Sequence, residues 1–344
     1  MNRRRYATLD ALRGVAAVSV VLYHCHTILQ CGNIFPRGYL AVDFFFMLSG
    51  FVLSHAYERK LLGETALPAF LARRAARLVP ISAAGVLIGA LYLFVHSKLN
   101  PGASDPTGLV VLGVALNLLL LPVFWRSRNT EWKLFVGDSP LWSLFLEFIA
   151  NAFWASCLVR LPTRWLAVFC AGAFVALAAC VMRYGSADIG WEWPSFVGGL
   201  ARVLFGFTVG CLAYRLEPRW RLPRLVALLS PVMLVAALAV RLPIAWWDVF
   251  VIAMVMPFVL LAGASATGEP PRLAILLGEI SYPLYATHGP LLEMVGDIVR
   301  ARRPSLLGHN ILFAAIVPAL FVGWLAFKLI DETVRRRLAR PARA

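Results

Sequence analysis

Charged residues are scarce in this chain, and acidic residues are the scarcest of them. Only 15% of the 344 residues are Asp, Glu, Lys or Arg, whereas about a quarter of the residues of a soluble globular domain are charged. The sequence also has no low-complexity tract, no internal repeat and no polar stretch long enough for a separate soluble domain. With 60% hydrophobic residues and a mean hydropathy of +0.74, the composition indicates an integral membrane protein.

Cysteine is also sparse, and its pattern argues against a metal site. The six cysteines are scattered, mostly within apolar segments, and none has the spacing of a metal-ligand motif. Cys25 and Cys31 would be able to pair if both faced an oxidising compartment. Buried free thiols are the favoured interpretation, because Cys is among the most buried residue types.

Long apolar runs are what the chain has in abundance. Eleven of them are candidate membrane helices, since roughly 20 apolar residues cross the hydrocarbon core, and their continuous character favours helices over a β-barrel. They lie near residues 9–30, 38–57, 79–96, 108–124, 141–159, 165–182, 197–214, 225–240, 246–264, 274–297 and 310–330. The predicted fold class is an all-α polytopic membrane helix bundle. We expect a single domain of residues 1–335, followed by a basic tail of residues 336–344.

Charge in the connecting segments predicts the orientation. The net charge of +15 comes mainly from arginines in short segments between apolar runs, a pattern typical of cytoplasmic loops rather than of nucleic-acid binding. Residues 3–5, 59–77, 215–224 and 335–343 are basic and should be cytoplasmic, whereas residues 185–195 carry acids without Lys or Arg and should lie outside. Both termini are then cytoplasmic, and we expect the protein in the bacterial inner membrane.

The number of crossings must be even if both termini lie on one side. Eleven apolar runs are an odd number, so one of them does not cross the membrane completely. We assign this exception to residues 79–96 and 108–124, which together should give one net crossing. We expect about ten transmembrane helices plus one re-entrant or surface-lying segment there. One stretch is at odds with this scheme: Arg300, Arg302 and Arg303 would lie outside, where binding of an anionic substrate is the one role we find for them.

The first apolar run, residues 8–30, carries Asp10, Arg13 and His24. Ionisable groups at membrane depth are costly, so each of them is a functional-site candidate. Arg13 and His24 are eleven residues apart, almost a whole number of helical turns, which places them on one face about 16 Å apart along the axis. One helix face therefore presents a fixed cation near one membrane surface and a titratable imidazole well inside.

The second run carries an acid to membrane depth. Asp43 either pairs with Arg13 or orients His24, or else it caps the helix at the interface. The Ser49-Gly50 pair in the same run would let another backbone approach closely.

A basic stretch precedes the third run. It holds Arg73, Arg74 and Arg77, and the spacing of Arg74 and Arg77 places both on one helix face. Such a pair can hold phosphates bidentately. Attraction to lipid headgroups is the alternative, since basic residues are common next to membranes.

Another run combines an interfacial aromatic residue with a buried acid. Trp142 and Ser143 come shortly before Glu147, which has no charged neighbour in sequence. The Glu147 carboxyl has three candidate roles: a proton acceptor, a hydrogen-bond acceptor for a hydroxyl, or the partner of an arginine.

The last constellation lies in the run of residues 274–297. Ser281, Tyr285 and His288 fall at i, i+4 and i+7, a single polar stripe that predicts the lining of a pocket. Pro283 and Pro290 should break the helix locally, which is tolerated where a helix lines a cavity.

Taken in order, these motifs resemble the membrane acyltransferase-3 family. The resemblance rests on Leu9-Asp10-Ala-Leu12-Arg13-Gly14 with His24, Val42-Asp43-Phe with Ser49-Gly50-Phe51, Arg73-Arg74-Ala-Ala-Arg77 with Pro80, Trp142-Ser143-Leu144 with Glu147, and Ser281-Tyr282-Pro283-Leu284-Tyr285 with His288 and Pro290. Each motif alone is moderately specific. Five of them in order, over nearly the whole chain, are a strong signal.

The resemblance implies about ten membrane helices and transfer of an acyl group, commonly acetyl. The donor would be a cytoplasmic acyl-CoA co-substrate, and the acceptor a hydroxyl of a carbohydrate or glycolipid of the cell envelope. It also implies that Arg13, His24, Arg74 and Arg77 are essential. Membrane lipids are the other expected partner; we expect no nucleic-acid partner and no metal.

Roles follow from the chemistry of acyl transfer, which needs a base or nucleophile and stabilisation of an oxyanion. The predicted catalytic residues are His24, Arg13, Asp43 and Glu147. The predicted donor-binding residues are Arg73, Arg74 and Arg77, and the predicted substrate-binding residues are Trp142, Ser143, Ser281, Tyr282, Tyr285 and His288.

Direct attack by an alkoxide and a double displacement through acyl-His24 both agree with the sequence. The rival class is a transporter or flippase for a lipid-linked saccharide, since intramembrane charges and proline-broken helices occur there too.

Overall fold

The computed structural model describes residues 6–63, 65–100, 102, 104–128, 131–216, 222–242, 244–266, 270–307 and 311–339. These residues form helices joined by short connections, and they contain no β-strand, only two isolated bridges. The predicted all-α bundle is confirmed. Several basic residues on which the predicted orientation rests lie outside the described residues, namely Arg3, Arg4, Arg5, Arg219, Arg221, Arg340 and Arg343.

Every predicted apolar run corresponds to a helix or to helices joined by a π-helical turn. The helices are α1 (Ala7–Leu29), α2 (Ala41–Leu62), α3 (Leu67–Leu99), α4 (Thr107–Leu118), α5 (Trp142–Ser156), α6 (Thr163–Tyr184), α7 (Phe196–Leu216), α8 (Arg224–Ala239), α9 (Ala245–Phe250), α10 (Met256–Ser265), α11 (Arg272–Arg302), α12 (Leu312–Ala326) and α13 (Glu332–Ala339). The π-helical turns are Val251–Val255 and Phe327–Asp331.

Seven helical segments in the described part of the chain are long and apolar enough to cross a membrane. α3, with 33 residues, is one of them, whereas α4 has 12 residues and extends only about 18 Å. This agrees with one net crossing by residues 79–96 and 108–124, with α4 as the short segment. A total of ten requires α5, α8 and α11 to cross as well, and that number stays a prediction.

Contacts between α1 and α11 show that these two helices run parallel. Gly14 packs against Gly278 near the start of both helices, with a Cβ added at Gly14 only 2.7 Å from the Gly278 nitrogen. Near the other end, Leu29 lies 3.2 Å from a Cβ added at Gly296. α11 therefore faces α1 along almost its whole length.

α3 runs in the same direction as α11. Tyr282 donates a hydrogen bond to the Leu78 carbonyl at 2.8 Å, and further along both helices His96 lies 2.6 Å from Asp297. The three helices thus start together at one end of the bundle. We call it the basic end, because the arginines of early α1 and α3 lie there, and we call the opposite end the far end.

α2 and α7 pack backbone to backbone. A Cβ added at Gly50 would lie 2.0 Å from the carbonyl oxygen of Phe207, and one added at Gly210 would lie 2.0 Å from that of Met47. The close approach predicted at Ser49-Gly50 is therefore confirmed, with α7 as the partner.

α11 passes through Pro283 and Pro290 without a break, so the expected local break is wrong. A proline leaves the carbonyl four residues earlier without its N–H partner, which for Pro290 is the carbonyl of Ala286. α3 packs onto that carbonyl through Gly85, whose added Cβ would lie 2.0 Å from the oxygen. Because α3 covers the freed backbone, the helix continues.

The cysteines of the first helix and its following loop are free thiols. Cys25 and Cys31 are both buried, and the Cys31 thiol donates to the Cys25 carbonyl at 3.1 Å. The favoured interpretation of buried thiols is confirmed for this pair.

Candidate active site

A cavity of about 430 Å³ lies between the helices at the basic end, and we call it the basic cavity. Five arginines line it: Arg13, Arg73, Arg74, Arg77 and Arg335. Ser143, Glu147, Ser281 and Tyr282 line it as well. All three arginines predicted to hold phosphates therefore reach one space.

A second cavity, of about 490 Å³, lies towards the far end, and we call it the far cavity. His24 lines it, together with several aromatic and charged side chains: Tyr23, Tyr39, Tyr92, Trp142, Trp191, Lys133, Asp188, Arg202 and Glu293. Aromatic faces combined with hydrogen-bonding groups suit a ligand that has both apolar faces and polar groups.

Tyr285 is the one described residue that lines both cavities. Its hydroxyl donates to the Pro140 carbonyl at 3.0 Å and lies 2.7 Å from the Ser143 hydroxyl. These bonds join α11 to the start of α5. The ring of Tyr285 therefore stands between the arginines of the basic cavity and the imidazole of the far cavity.

His24 is oriented by His288 of α11. Nδ1 of His288 lies 2.7 Å from the carbonyl oxygen of Tyr285 and 3.2 Å from that of Leu284. Because a carbonyl can only accept, we assign the hydrogen of neutral His288 to Nδ1, which makes Nε2 an acceptor. Nδ1 of His24, 2.9 Å from this Nε2, then donates to it. Nε2 of His24 keeps its lone pair and has no hydrogen-bond partner among the described residues.

The polar stripe predicted on α11 is present, but as the lining of a pocket it is confirmed only in part. Ser281, Tyr285 and His288 are all buried. Ser281 and Tyr285 line the cavities, whereas His288, also predicted to bind substrate, lines neither and contacts the far cavity through His24. The three residues contact, in this order, Arg13 at 3.0 Å, Ser143 at 2.7 Å and His24 at 2.9 Å. α11 therefore supplies one partner to each of three residues that the sequence singles out.

Arg13 is held in place by α1 itself and by α11. Its guanidinium donates to Asp10 at 2.8 Å, to the Gly278 carbonyl at 3.1 Å and to Ser281 at 3.0 Å. Since His24 also contacts α11, the prediction that Arg13 and His24 share one helix face is confirmed.

Glu147 is the partner of an arginine, one of its three predicted roles. Oε1 accepts from Arg74 at 3.0 Å and from the Ser49 hydroxyl at 2.6 Å. With the Asn151 amide oriented to suit its neighbours, its oxygen also accepts from Arg74, at 3.1 Å. The guanidinium of Arg74 is thus committed to protein partners.

Arg73 and Arg77 differ from Arg74 in this respect. Both side chains line the basic cavity. Neither makes a hydrogen bond or an ion pair with another described residue. Their donors remain available to a ligand.

Asp43 bonds neither to Arg13 nor to His24, so the expectation that it would is wrong. Its two oxygens accept from Arg202 of α7 at 2.8 Å and 3.1 Å, and both side chains are at most 1% exposed. The helix-cap alternative is also wrong, since α2 begins at Ala41 with no side-chain cap. A buried carboxylate needs an oppositely charged partner, and Arg202 is the partner of Asp43. Arg202 lines the far cavity, whereas Asp43 does not.

The sequence interpretation missed all four charged residues that line the far cavity, namely Lys133, Asp188, Arg202 and Glu293. Arg202 stands within the apolar run of α7, so the rule that singled out Arg13 would have found it. Asp188 lies in a loop and has no such signal; it accepts a hydrogen bond from Tyr23 at 2.6 Å. Burial raises the pKa of the Asp188 carboxyl, while the bond from Tyr23 and the charge of Arg202 act in the opposite direction.

Arg300, which was predicted to lie outside, is at the far end and is engaged with the protein. It donates to Asp297 at 2.8 Å and to the Ile28 carbonyl at 3.0 Å. These contacts tie the end of α11 to the end of α1. These contacts give Arg300 a structural role, so its position does not require an anionic substrate.

Comparison with known proteins gives one family and several relatives. The model of the family described as "Acyltransferase domain" matches residues 6–328. Acyltransferase MdmB of Streptomyces mycarofaciens is 27% identical over 98% of this chain and 93% of its own length. The exopolysaccharide production protein ExoZ of Rhizobium meliloti is 25% identical over 91% of this chain and 94% of its own length. Protein 2 in the picA locus of Rhizobium radiobacter is 34% identical over 52% of this chain and 96% of its own length. No solved structure matches significantly.

Proposed function

The chain belongs to the acyltransferase domain family, and we propose that it transfers an acyl group, acetyl in the simplest case, from cytoplasmic acyl-CoA to a hydroxyl of a cell-envelope or exported carbohydrate. The family predicted from the five motifs is thus the family found. The observation that carries the proposal is that a cavity lined by arginines and a cavity lined by His24 share the wall formed by Tyr285. The transporter alternative is dropped, because the matching family consists of acyltransferases.

The basic cavity is the proposed donor site. Acyl-CoA carries its phosphates at the nucleotide end and its thioester at the end of a long flexible arm. Arg73 and Arg77, whose donors have no partner among the described residues, suit the phosphates, since guanidinium groups bind phosphate bidentately. The arm would then run past Arg13 towards Tyr285, which brings the thioester to the border of the far cavity.

His24 is the proposed base. Nε2 takes the proton from the acceptor hydroxyl while the alkoxide oxygen attacks the thioester carbonyl. The carbon–sulfur bond breaks, and the thiolate of CoA recovers the proton from the imidazolium, so acyl ester and free thiol form with no net proton change. His288 keeps Nδ1–H of His24 in a hydrogen bond at 2.9 Å throughout, which holds the lone pair of Nε2 towards the cavity.

A double displacement through acyl-His24 is the second route. It uses the same lone pair, which would attack the thioester carbonyl, so that the carbon–sulfur bond breaks and the CoA thiolate leaves. The acceptor hydroxyl then takes the acyl group from the imidazole, and its proton goes to the CoA thiolate. Both routes place the reacting atoms at Nε2 of His24. Self-labelling of His24 by the donor alone distinguishes them.

The far cavity is the proposed acceptor site. Trp142 and Trp191 offer flat apolar faces, and Asp188 and Glu293 offer acceptors for hydroxyl groups, a combination that suits a carbohydrate. ExoZ, a relative along nearly the whole chain, is named for exopolysaccharide production, which supports an exported saccharide as acceptor.

We place the protein in a bacterial inner membrane with the basic end in the cytoplasm. The arginines of α3 and α13 support this orientation through the positive-inside rule. Acyl-CoA is a cytoplasmic metabolite, so the donor cavity then faces its supply.

The proposal predicts that His24 is required for chemistry. We expect purified wild-type protein to hydrolyse labelled acetyl-CoA slowly or to become labelled by it, and His24→Ala to lose this activity by at least about 100-fold, as expected for removal of a general base. His26→Ala is the matched control, since His26 lies on α1 but lines neither cavity.

Wild-type activity in the His24→Ala variant would contradict the mechanism. No reaction of the wild-type protein with any acyl-CoA would contradict the donor. Mass analysis of surface glycans from cells with wild-type, His24→Ala and His26→Ala protein identifies the acceptor, which should lack the acyl mass only in the His24→Ala strain.

A further inference from the structure

Arg335 of α13 belongs to the basic cavity although it lies beyond the part of the chain that the family model matches. The match ends at residue 328, and Arg335 follows it by seven residues. Arg335 and Leu338 nevertheless line the basic cavity together with Arg13, Arg73 and Arg77. α13 therefore forms part of the wall of this cavity.

The chain positions Arg335 by two contacts from the turn that precedes α13. Asp331, with a side chain 0% exposed, lies 2.5 Å from a guanidinium nitrogen of Arg335. The guanidinium carbon also lies 5.6 Å from the centre of the Phe327 ring, within the range of a cation–π contact. Both residues belong to the π-helical turn Phe327–Asp331, a distortion that is rare and often found at functional sites.

Among the described residues, the charges of the basic cavity do not balance. Five guanidinium groups line it. Three carboxylates of the described chain lie within ion-pair distance of them: Asp10 of Arg13, Glu147 of Arg74 and Asp331 of Arg335. Arg335 is also close enough to Arg13 and Arg77 for their charges to interact. Like charges gathered beside a membrane interior are costly, so a polyanionic ligand is expected here.

We propose that Arg335 binds a phosphate group of the acyl donor, as a fifth cation supplied by the C-terminal helix. This inference rests on the proposed function, because it takes the basic cavity to be the donor site. Asp331 and Phe327 hold the guanidinium towards the cavity. About 33% of the Arg335 side chain is exposed, so its remaining donors can reach a ligand.

The test compares two neighbouring arginines of α13 in the full-length protein. We measure CoA binding by calorimetry in nanodiscs of phosphatidylcholine, for wild type, Arg335→Gln and Arg336→Gln. Loss of one charge-assisted contact should weaken CoA binding about tenfold in Arg335→Gln. Arg336 is 74% exposed, pairs with Glu332 and lies outside the cavity, so Arg336→Gln should bind as wild type does.

The outcomes separate this inference from the proposed function. Wild-type affinity in Arg335→Gln, with CoA bound by the wild-type protein, overturns the role of Arg335 and leaves the donor site intact. No CoA binding by the wild-type protein overturns both. A tenfold loss that appears only when phosphatidylglycerol is added to the nanodiscs assigns Arg335 to a lipid headgroup and also overturns the inference.

A second variant decides the matter if Arg335→Gln does not fold. Arg335→Lys keeps the charge and loses the planar fork, so we expect its affinity for CoA to fall about threefold, between wild type and Arg335→Gln. If Arg335→Gln cannot be purified in folded form and Arg335→Lys binds CoA with wild-type affinity, the inference is overturned.

Discussion

His24 and His288 are the smallest unit on which the proposed chemistry depends. The backbone carbonyls of α11 fix the hydrogen of His288, and His288 in turn fixes the hydrogen of His24. Among the described residues, no carboxylate takes part in this chain of hydrogen bonds. The base is therefore oriented by a neutral imidazole and not by an acid, although charged side chains such as Asp188 and Arg202 line the same cavity.

Several site residues were predictable one at a time, but their partners were not. Arg13, His24 and Glu147 stand out because an ionisable group in an apolar run has a physical cost that sequence alone reveals. The partner of Asp43 was not predictable in this way, since Arg202 lies 159 residues away and only packing of α2 on α7 brings the two together. The sequence thus identifies the ionisable residues of the site, whereas the partner of each residue depends on how the helices pack.

Asp138 gives a prediction for the dependence of stability on pH. Its carboxyl is buried in the segment before α5, and neither oxygen has a hydrogen-bond partner among the described residues. Burial raises the pKa of Asp138 well above its ordinary value. Above about pH 4 the unfolded chain has lost this proton while the folded protein keeps it, so the free energy of unfolding falls with rising pH, by up to about 1.4 kcal/mol per unit.

Asp138→Asn should remove this slope. We expect the melting temperature of the variant to rise relative to wild type as the pH is raised from 5 to 8 in detergent. Glu131→Gln is the control, since Glu131 is 64% exposed and its profile should run parallel to that of wild type. Parallel profiles for Asp138→Asn and wild type would show that Asp138 is ionised in the folded protein.

At the scale of elements, α2 and α7 illustrate a contact that only glycine permits. Neither helix has room for a Cβ where the backbones touch, at Gly50 and Gly210. The sequence predicted close approach at Ser49-Gly50 from residue size alone. It did not identify α7 as the partner, because small residues occur in many of the runs.

The lengths of two helices show a further limit of the sequence pattern. α3 extends to Leu67 through its basic stretch, and α11 continues through two prolines. Apolar runs mark the membrane-embedded part of a helix and not its ends. Proline marks a missing hydrogen bond, and whether the helix breaks there depends on what packs beside it.

Gly210→Ala should destabilise the protein. The added Cβ would lie 2.0 Å from a backbone oxygen of α2, and the two helices must separate to admit it. We expect a loss of about 1–3 kcal/mol, measured as a lower midpoint of thermal or denaturant unfolding in detergent.

Gly172→Ala is the matched control for this substitution. Gly172 lies in α6, and an added Cβ there meets nothing within 4 Å. Its stability should equal or slightly exceed that of wild type, since Ala favours helix more than Gly. Equal stability of the two variants would mean that α2 and α7 are not in backbone contact.

At the scale of the whole molecule, five of the described helices form two groups that run in opposite directions. α1, α3 and α11 start at the basic end, whereas α2 and α7 end there: Tyr57 of α2 lines the basic cavity, and the neighbouring Glu58 accepts from Arg215 of α7 at 2.9 Å. The basic cavity lies towards one end and the far cavity towards the other. Charge clustering predicted which residues share an end, but the arrangement of cavities required the packed bundle.

Cys157 provides a test of the orientation with a native residue. It is the exposed cysteine of the described chain, at the end of α5 and close in sequence to Val159, whose carbonyl accepts from Arg215 at the basic end. We expect a membrane-impermeant maleimide to label it in inverted vesicles but not in intact cells. Cys157→Ser should abolish the label.

Labelling of Cys157 in intact cells, with no label in inverted vesicles, would reverse the orientation. The donor cavity would then face away from the cytoplasm, and the proposed donor would have to be abandoned.

Tyr285 has a consequence for what crosses the membrane. Its ring lies between the two cavities. In the proposed reaction, neither the nucleotide of the donor nor the saccharide then needs to leave its own compartment, and only the acyl group, two carbons and an oxygen in the acetyl case, changes sides. By the proposed reaction, a cell would decorate its exterior with esters made from an intracellular thioester, without exporting an activated carrier.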